Sequence, residues 1–118
     1  MKTRFYSIIH SKNINIVEKL FKKVLTVGIF KKIEEEKVLI YEDNQLEFSC
    51  ELDNDSTIYM SGEIKLGLSD SVSIIRNITN ALHSLGLQFS LDYQEENILG
   101  ELTFIEFNIS NSFLQRKM

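Results

Sequence analysis

An unbroken alternation of apolar and polar residues is the strongest constraint on how this chain folds. From Gln45 to Leu52 every second residue is apolar and every residue between is polar. A period of two places all the apolar side chains on one face of a β-strand. The segment therefore predicts a half-buried strand, with Leu46, Phe48, Cys50 and Leu52 facing the core.

Five further segments have the composition of β-strands. They cover residues 4–9, 29–42, 57–68, 87–93 and 98–107. The segment 29–42 is interrupted or bent at Glu34-Glu35-Glu36. Gly62 breaks the alternation of 57–68, which predicts a bulge or bend at that position. The predicted turns are Asp43-Asn44, residues 53–55 and Glu95-Glu96-Asn97.

The segment after the first strand has the helical period. Asn13 or Asn15 is the predicted N-cap, with Glu18 at capping-box distance from Asn15, and Gly28 is the predicted C-terminal residue. The apolar stripe consists of Ile16, Val17, Leu20, Phe21, Val24 and Leu25. This pattern predicts an amphipathic helix that packs on a sheet.

A second helix is predicted between residues 69 and 86. Ser69 or Ser71 is its N-cap and Gly86 ends it. Its stripe consists of Ile74, Ile75, Ile78, Ala81, Leu82 and Leu85.

The order of elements is β-α-β-β over residues 4–52 and again over residues 57–107. These two segments are predicted pseudo-repeats, alike in pattern more than in identity. Two helices on one face of a mostly antiparallel sheet make an α+β fold. We expect residues 1–109 to form this single domain and residues 110–118 to form a polar C-terminal tail.

The 118 residues contain a single cysteine, which excludes an intramolecular disulfide and suits a reducing compartment. The apolar stretch after the basic start is shorter than the core of a signal peptide. No apolar segment reaches the roughly 20 residues that cross a bilayer. The sequence predicts a cytoplasmic protein without a membrane-bound part.

The sequence has no catalytic signature. Cys50 lies in an apolar row, which indicates a buried structural thiol, and His83 lies off the apolar stripe of its helix. Three scattered His and Cys residues do not make a zinc site, and the five glycines do not form a phosphate-binding loop. We therefore predict a protein that is not an enzyme and has no metal or cofactor.

One motif imitates a catalytic site. Residues 53–57 match the Asp-x-Asp-x-Thr pattern of phosphatases with an aspartyl nucleophile. Those enzymes need a parallel sheet with more helices than this chain has. The segment also fails as a calcium loop, because its sixth position is Ile58 and its twelfth is Ile64. A hairpin turn is the better interpretation.

Charge is distributed unevenly along the chain. Residues 1–33 carry eight Lys and Arg against one Glu, whereas residues 34–108 carry three Lys and Arg against 16 Asp and Glu. An acidic body repels phosphate backbones, so direct nucleic-acid binding is not expected. The same charge attracts a basic partner and speeds the encounter at low salt.

These features resemble bacterial toxin-immunity proteins of the contact-dependent growth-inhibition and polymorphic-toxin type. The resemblance rests on small size, acidic balance, a residue choice typical of AT-rich genes, an α+β body and no catalytic signature. It implies a non-enzymatic protein that binds and neutralises a cognate toxin domain, often a basic nuclease. The acidic residues that would bind the toxin are Glu34, Glu35, Glu36, Glu42, Asp43, Glu47, Glu51, Asp53, Asp55, Glu95 and Glu96.

The repeat suggests an alternative function. Tandem strand-helix-strand-strand modules resemble the effector-binding domain related to gyrase-inhibitory proteins, which implies a small-molecule cleft between the repeats. The residues that would line such a cleft are Tyr41, Tyr59, Tyr93, Glu63 and Glu101. A free sheet face or edge strand would also allow a homodimer or strand addition.

Overall fold

The computed structural model describes residues 1–33, 35, 37–53 and 56–111. The predictions on Glu34, Glu36, Asp55 and residues 112–118 of the tail lie outside the described residues. The elements are β1 (Lys2–His10), α1 (Ile14–Val24), β2 (Ile29–Ile33), β3 (Val38–Glu42), β4 (Leu46–Leu52), β5 (Ile58–Ile64), α2 (Leu68–Ser84), β6 (Gln88–Glu96) and β7 (Leu102–Asn111).

The strands form one seven-stranded sheet in the order β2-β3-β4-β5-β1-β6-β7. All six neighbouring pairs are antiparallel. Helix α1 contacts β3 and β4, helix α2 contacts β1 and β6, and the helices contact each other. The α+β fold class is confirmed.

The core lies between the helices and one face of the sheet, which we call the covered face. Residues 46, 48 and 50 of β4 are buried there while those between them are at least partly exposed, as the alternation predicts. An aromatic row crosses this face, because the strand register places Tyr93, Phe5, Phe48, Tyr41 and Phe30 side by side. The ring of Phe21 in α1 packs edge-on against Phe48, with 5.3 Å between the centroids.

Gly62 occupies the position in this row between Phe5 and Phe48. The predicted bulge is wrong, since pairing continues on both sides of the glycine. A Cβ atom at this position would lie 2.5 Å from Cβ of Phe48 and 2.7 Å from Cζ of Phe5. The glycine is required because two phenyl rings meet above it, with 6.4 Å between their centroids.

Helix α1 uses Asn13 as its N-cap, and the Asn13 side chain accepts a hydrogen bond from the amide of Asn15 at 2.9 Å. The predicted stripe is partly wrong, because Ile14 is buried whereas Ile16 and Val24 are more than two-fifths exposed. The helix ends near Leu25, so Gly28 does not end it.

Glu18 does not take part in a capping box. It binds Lys22 at 3.4 Å and Lys32 of β2 at 3.2 Å. The residue therefore links α1 to the edge strand of the sheet.

The predicted N-caps of α2 are wrong. The cap residue is Gly67, and a carboxylate oxygen of Glu95 accepts a hydrogen bond from the amide of Leu68 at 2.8 Å. Ser71 lies inside the helix, where its hydroxyl donates to the carbonyls of Leu66 and Gly67.

Gly86 ends α2, as predicted. Gly86 has φ of +71°. Its amide donates a hydrogen bond to the carbonyl of His83, and the amide of Leu87 donates one to the carbonyl of Leu82. This pairing is the Schellman arrangement, in which the left-handed position favours glycine.

The predicted interruption of the segment 29–42 is confirmed, because Ile29–Ile33 and Val38–Glu42 form two antiparallel strands joined by a turn in which Glu35 has φ of +57°. Three other strand boundaries differ from the prediction. The last strand covers Leu102–Asn111, so Ser110 and Asn111 belong to it and not to the tail. The strand that begins near residue 57 ends at Ile64, before α2. Glu95 and Glu96 end β6, and the turn covers residues 97–101. Within the described residues, no helix is both long and apolar enough to span a bilayer.

Candidate binding surface on the uncovered sheet face

The face of the sheet opposite the helices is polar, and we call it the uncovered face. The period of two places the alternate residues of every strand on it. Its residues include Lys2, Arg4, Tyr6 and Ile8 of β1, Ile40 and Glu42 of β3, Glu47, Ser49 and Glu51 of β4, Tyr59, Ser61 and Glu63 of β5, and Ser90, Asp92 and Gln94 of β6.

Three glutamates stand directly opposite one another on three neighbouring strands of this face. Glu42 pairs with Glu47, and Glu47 pairs with Glu63. We call these residues the glutamate row. Directly opposed side chains of an antiparallel pair lie about 5 Å apart at Cβ, so like charges there destabilise the sheet.

A compact ion-pair network neutralises only one end of the glutamate row. Lys2 binds Glu63 at 3.2 Å and Glu96 at 3.5 Å, and Nε of Arg4 donates to Glu96 at 3.0 Å. Burial alone would raise the pKa of Glu63, but the hydrogen bond and charge of Lys2, together with a side-chain hydrogen bond with Glu47 and the charge of Arg4, outweigh it and hold this pKa below its ordinary value. Within the described chain, no Lys or Arg is ion-paired with Glu42 or Glu47.

A groove of about 560 Å³ runs beside the glutamate row. Its floor contains Ser49 and Ser61, which are opposite each other, and the larger Ile40 and Tyr6 follow on either side of this pair. Tyr6 is 46% exposed. The depression exists because two small side chains separate two large ones.

A second recess lies near the other end of β4. It measures about 400 Å³ and is lined by Lys37, Glu51, Leu52, Asp53 and Tyr59. Glu47 and Glu51 share a strand face, as predicted, but they line different recesses.

Exposed apolar side chains lie beside the glutamate row. Ile29 of the edge strand β2 pairs directly with Glu42 and is 77% exposed, and the preceding Val27 is 82% exposed. Such residues add contact area to a surface that would otherwise be polar and charged.

The predicted acidic residues fall into two groups. Glu42, Glu47 and Glu51 lie on the uncovered face, and Asp53 borders the second recess. Glu35 is exposed in the β2–β3 turn.

Glu95, Glu96 and Asp43 stabilise the fold through specific contacts. Glu95 binds the first turn of α2, and Glu96 is 5% exposed and paired with Lys2 and Arg4. Asp43 accepts hydrogen bonds from the amides of Gln45 and Leu46 at 2.7 and 2.8 Å.

Asp43 also holds the buried side chain of Tyr41, whose hydroxyl donates to it at 2.5 Å. Burial and this carboxylate raise the pKa of Tyr41 to about 12. Burial would raise the pKa of Asp43, but the hydrogen bonds from Tyr41 and the two amides lower it. Asp43 therefore organises the β3–β4 turn.

The groove is also lined by Arg4, Tyr6, Ser49 and Ser61, none of which is predicted as a site residue from the sequence. The alternation of β4 and β5 places Ser49 and Ser61 on their polar faces. It does not show that the two serines are neighbours, because that depends on strand register.

The residues predicted for an effector cleft do not come together. Tyr41 is fully buried on the covered face, where Tyr93 also lies, whereas Tyr59 and Glu63 are on the uncovered face. Glu101 is exposed in the β6–β7 turn.

Cys50 is fully buried, and burial raises the pKa of its thiol to about 12. The thiol is therefore protonated at neutral pH and is a poor nucleophile, which confirms the prediction of a structural cysteine. His83 is exposed, as predicted. In the part of the chain that the structure describes, no group of three or more His, Cys, Asp or Glu is arranged to hold a metal ion.

Comparisons with protein-family models, with curated proteins and with solved structures gave no significant match. The features that bear on function are therefore those of the uncovered face.

Proposed function

We propose that this chain is a non-enzymatic immunity protein that binds a basic toxin domain with the uncovered face of its sheet. The observation that carries the proposal is the glutamate row, in which Glu42 and Glu47 are without an ion-pair partner within the described chain. The cognate toxin supplies the missing positive charge. By covering the toxin's substrate site, the immunity protein blocks its activity inside the cytoplasm of the producing bacterium.

The cost of the glutamate row supports this function. Opposed like charges lower stability, and such local conflicts are expected where a surface serves binding. The exposed Val27 and Ile29 beside the row provide apolar contacts, while the charges accelerate association.

The alternative is a small-molecule effector-binding domain, and the groove is the observation that favours it. Its volume of about 560 Å³ lies within the usual range of ligand pockets, roughly 300–1,000 Å³. In this case a small cation, and no protein, would occupy the groove. A homodimer through the free edge of β2 or β7 stays a prediction, which the molar mass in solution would test.

The decisive experiment is a pull-down of the tagged chain from its own host, with the product of the adjacent gene co-expressed. We expect a stoichiometric complex with a neighbour that is lethal when expressed alone. A chain that retains only a small molecule in native mass spectrometry would favour the alternative and contradict the immunity function.

Charge reversal then locates the interface. Glu42→Lys should weaken protection against the toxin, whereas Glu101→Lys, the same charge change at an exposed turn, should not. If both variants protect equally well, the glutamate row is not part of the interface.

A further inference from the structure

The groove of the uncovered face has one apolar wall, one aromatic wall and a polar floor. Across the sheet the order is Ile40, Ser49, Ser61, Tyr6. The serine hydroxyls accept as well as donate hydrogen bonds. The exposed tyrosine ring offers a flat surface on which a planar cation can stack.

The glutamate row borders the same groove. Glu42 and Glu47 line it on β3 and β4, and Glu63 lines it on β5, where Lys2 already binds that carboxylate. Arg4 of β1 also lines the groove beside Glu63, and its charge is paired with Glu96. The negative charge left over is therefore on the side of Glu42 and Glu47. An occupant that complements this groove carries a positive charge toward those two residues.

We propose that the groove holds an arginine side chain of the partner, stacked on Tyr6 and hydrogen-bonded to Glu47. This inference rests on the proposed function for the identity of the partner, but not for the chemistry of the groove. A guanidinium group is planar and carries five donors, which matches a flat ring together with carboxylate and hydroxyl acceptors. A lysine ammonium would make the ion pair but not the stacking contact.

The test uses the full chain and three small probes, followed by backbone amide shifts in NMR. The probes are the Nα-acetyl amides of arginine, lysine and citrulline. Citrulline has nearly the shape of arginine without its charge. We expect saturable shifts with the arginine probe, centred on Tyr6, Glu47, Ser49 and Ser61, weaker binding of lysine, and none of citrulline.

Matched pairs of variants assign the contacts. Glu47→Gln should weaken arginine binding by about fivefold, the size expected for a partly exposed ion pair. Glu51→Gln, on the same strand and face but outside the groove, should leave it unchanged. Tyr6→Leu should remove the preference for arginine over lysine, while Tyr59→Leu, at a tyrosine of similar exposure on the same face, should keep it.

Saturable binding of citrulline, equal losses in both glutamine variants, or shifts spread over the whole surface would overturn the inference. The probes need no toxin, so they separate this inference from the proposed function. If the toxin complex forms but tolerates Glu47→Gln and Tyr6→Leu, the arginine site is wrong and the immunity function stands. If arginine binds as described and no toxin is found, the groove stands and its partner is of another kind.

Discussion

At the scale of single residues, one absent side chain determines how the aromatic core is arranged. Phe5 and Phe48 lie on strands that flank β5, and they meet because Gly62 between them has no Cβ. The rigid backbone carbonyl of Glu47 would lie 2.3 Å from that atom. Neither the sheet nor the rings can make room without losing contacts.

Gly62→Ala should therefore lower the free energy of unfolding by about 1–3 kcal/mol, the usual cost of overpacking. Urea denaturation monitored by circular dichroism measures this loss. The control is Gly67→Ala. The Cβ atom added there would lie 3.3 Å from its nearest neighbour, a carboxylate oxygen of the movable Glu95 side chain. A loss at residue 62 no larger than at residue 67 would contradict the packing argument.

Asp43 makes stability depend on pH. The pKa of Asp43 is lowered in the folded chain. The stability that Asp43 contributes is therefore complete when the pH is above the ordinary pKa of 3.8, and it is lost as the pH falls through the lowered pKa. Asp43→Asn should lower stability at pH 7 and reduce the slope of stability against pH on the acid side. Urea titrations between pH 2 and 7 test this, with the exposed Glu101→Gln as control. An unchanged acid slope would show that the turn does not depend on the charge of Asp43.

At the scale of secondary-structure elements, the sequence predicts the features that depend on residues close together in the chain. Strand β4 and the end of α2 at Gly86 follow from local pattern and backbone conformation, and both are confirmed. The capping of α2 does not follow from local pattern, because the acceptor, Glu95, is 27 residues from Leu68 in the chain. The glutamate row and the groove depend on strand register for the same reason.

The Glu95 cap gives a stability prediction. Glu95→Ala removes an acceptor and a negative charge from the helix N-terminus, which should cost about 1 kcal/mol. Amide hydrogen exchange should accelerate first in the opening turn of α2. Thermal unfolding gives the total effect, and a loss confined to the β6–β7 turn would argue against capping.

The glutamate row predicts a substitution that stabilises the fold. Glu47→Gln removes the repulsion with Glu42, while a glutamine amide can still donate to Glu63, so the free energy of unfolding should rise by about 0.2–1 kcal/mol. Glu51→Gln is the control, because Val38 and Tyr59 stand opposite Glu51 and neither is charged. Urea denaturation at low and high salt measures both variants, and the gain should shrink as salt screens the repulsion. A loss of stability at residue 47 would contradict the unfavourable row.

At the scale of the whole molecule, the uneven charge of the sequence becomes a difference between two faces. Helix α1 carries Lys19, Lys22 and Lys23, all exposed, on the side opposite the glutamate row. A basic partner is therefore attracted toward one face and repelled from the other. For the proposed toxin, the association rate should fall as salt rises, and Glu42→Gln should reduce this dependence. Stopped-flow mixing measures both, and rates that are independent of salt would exclude electrostatic steering.

The strand order also sets a sequence of events for folding. Strands β2 to β5 follow one another in the chain and in the sheet, so each can pair soon after its neighbour is synthesised. Strand β1 is made before them, yet it lies between β5 and β6 and pairs with residues near the other end of the chain. It also pairs with β5, so β1 must wait at least until β5 is made, and the long loop closure slows its pairing. The groove cannot form before that step, because the pairing with β5 places Tyr6 beside Ser61, so a nascent chain has its glutamate row before it has its groove.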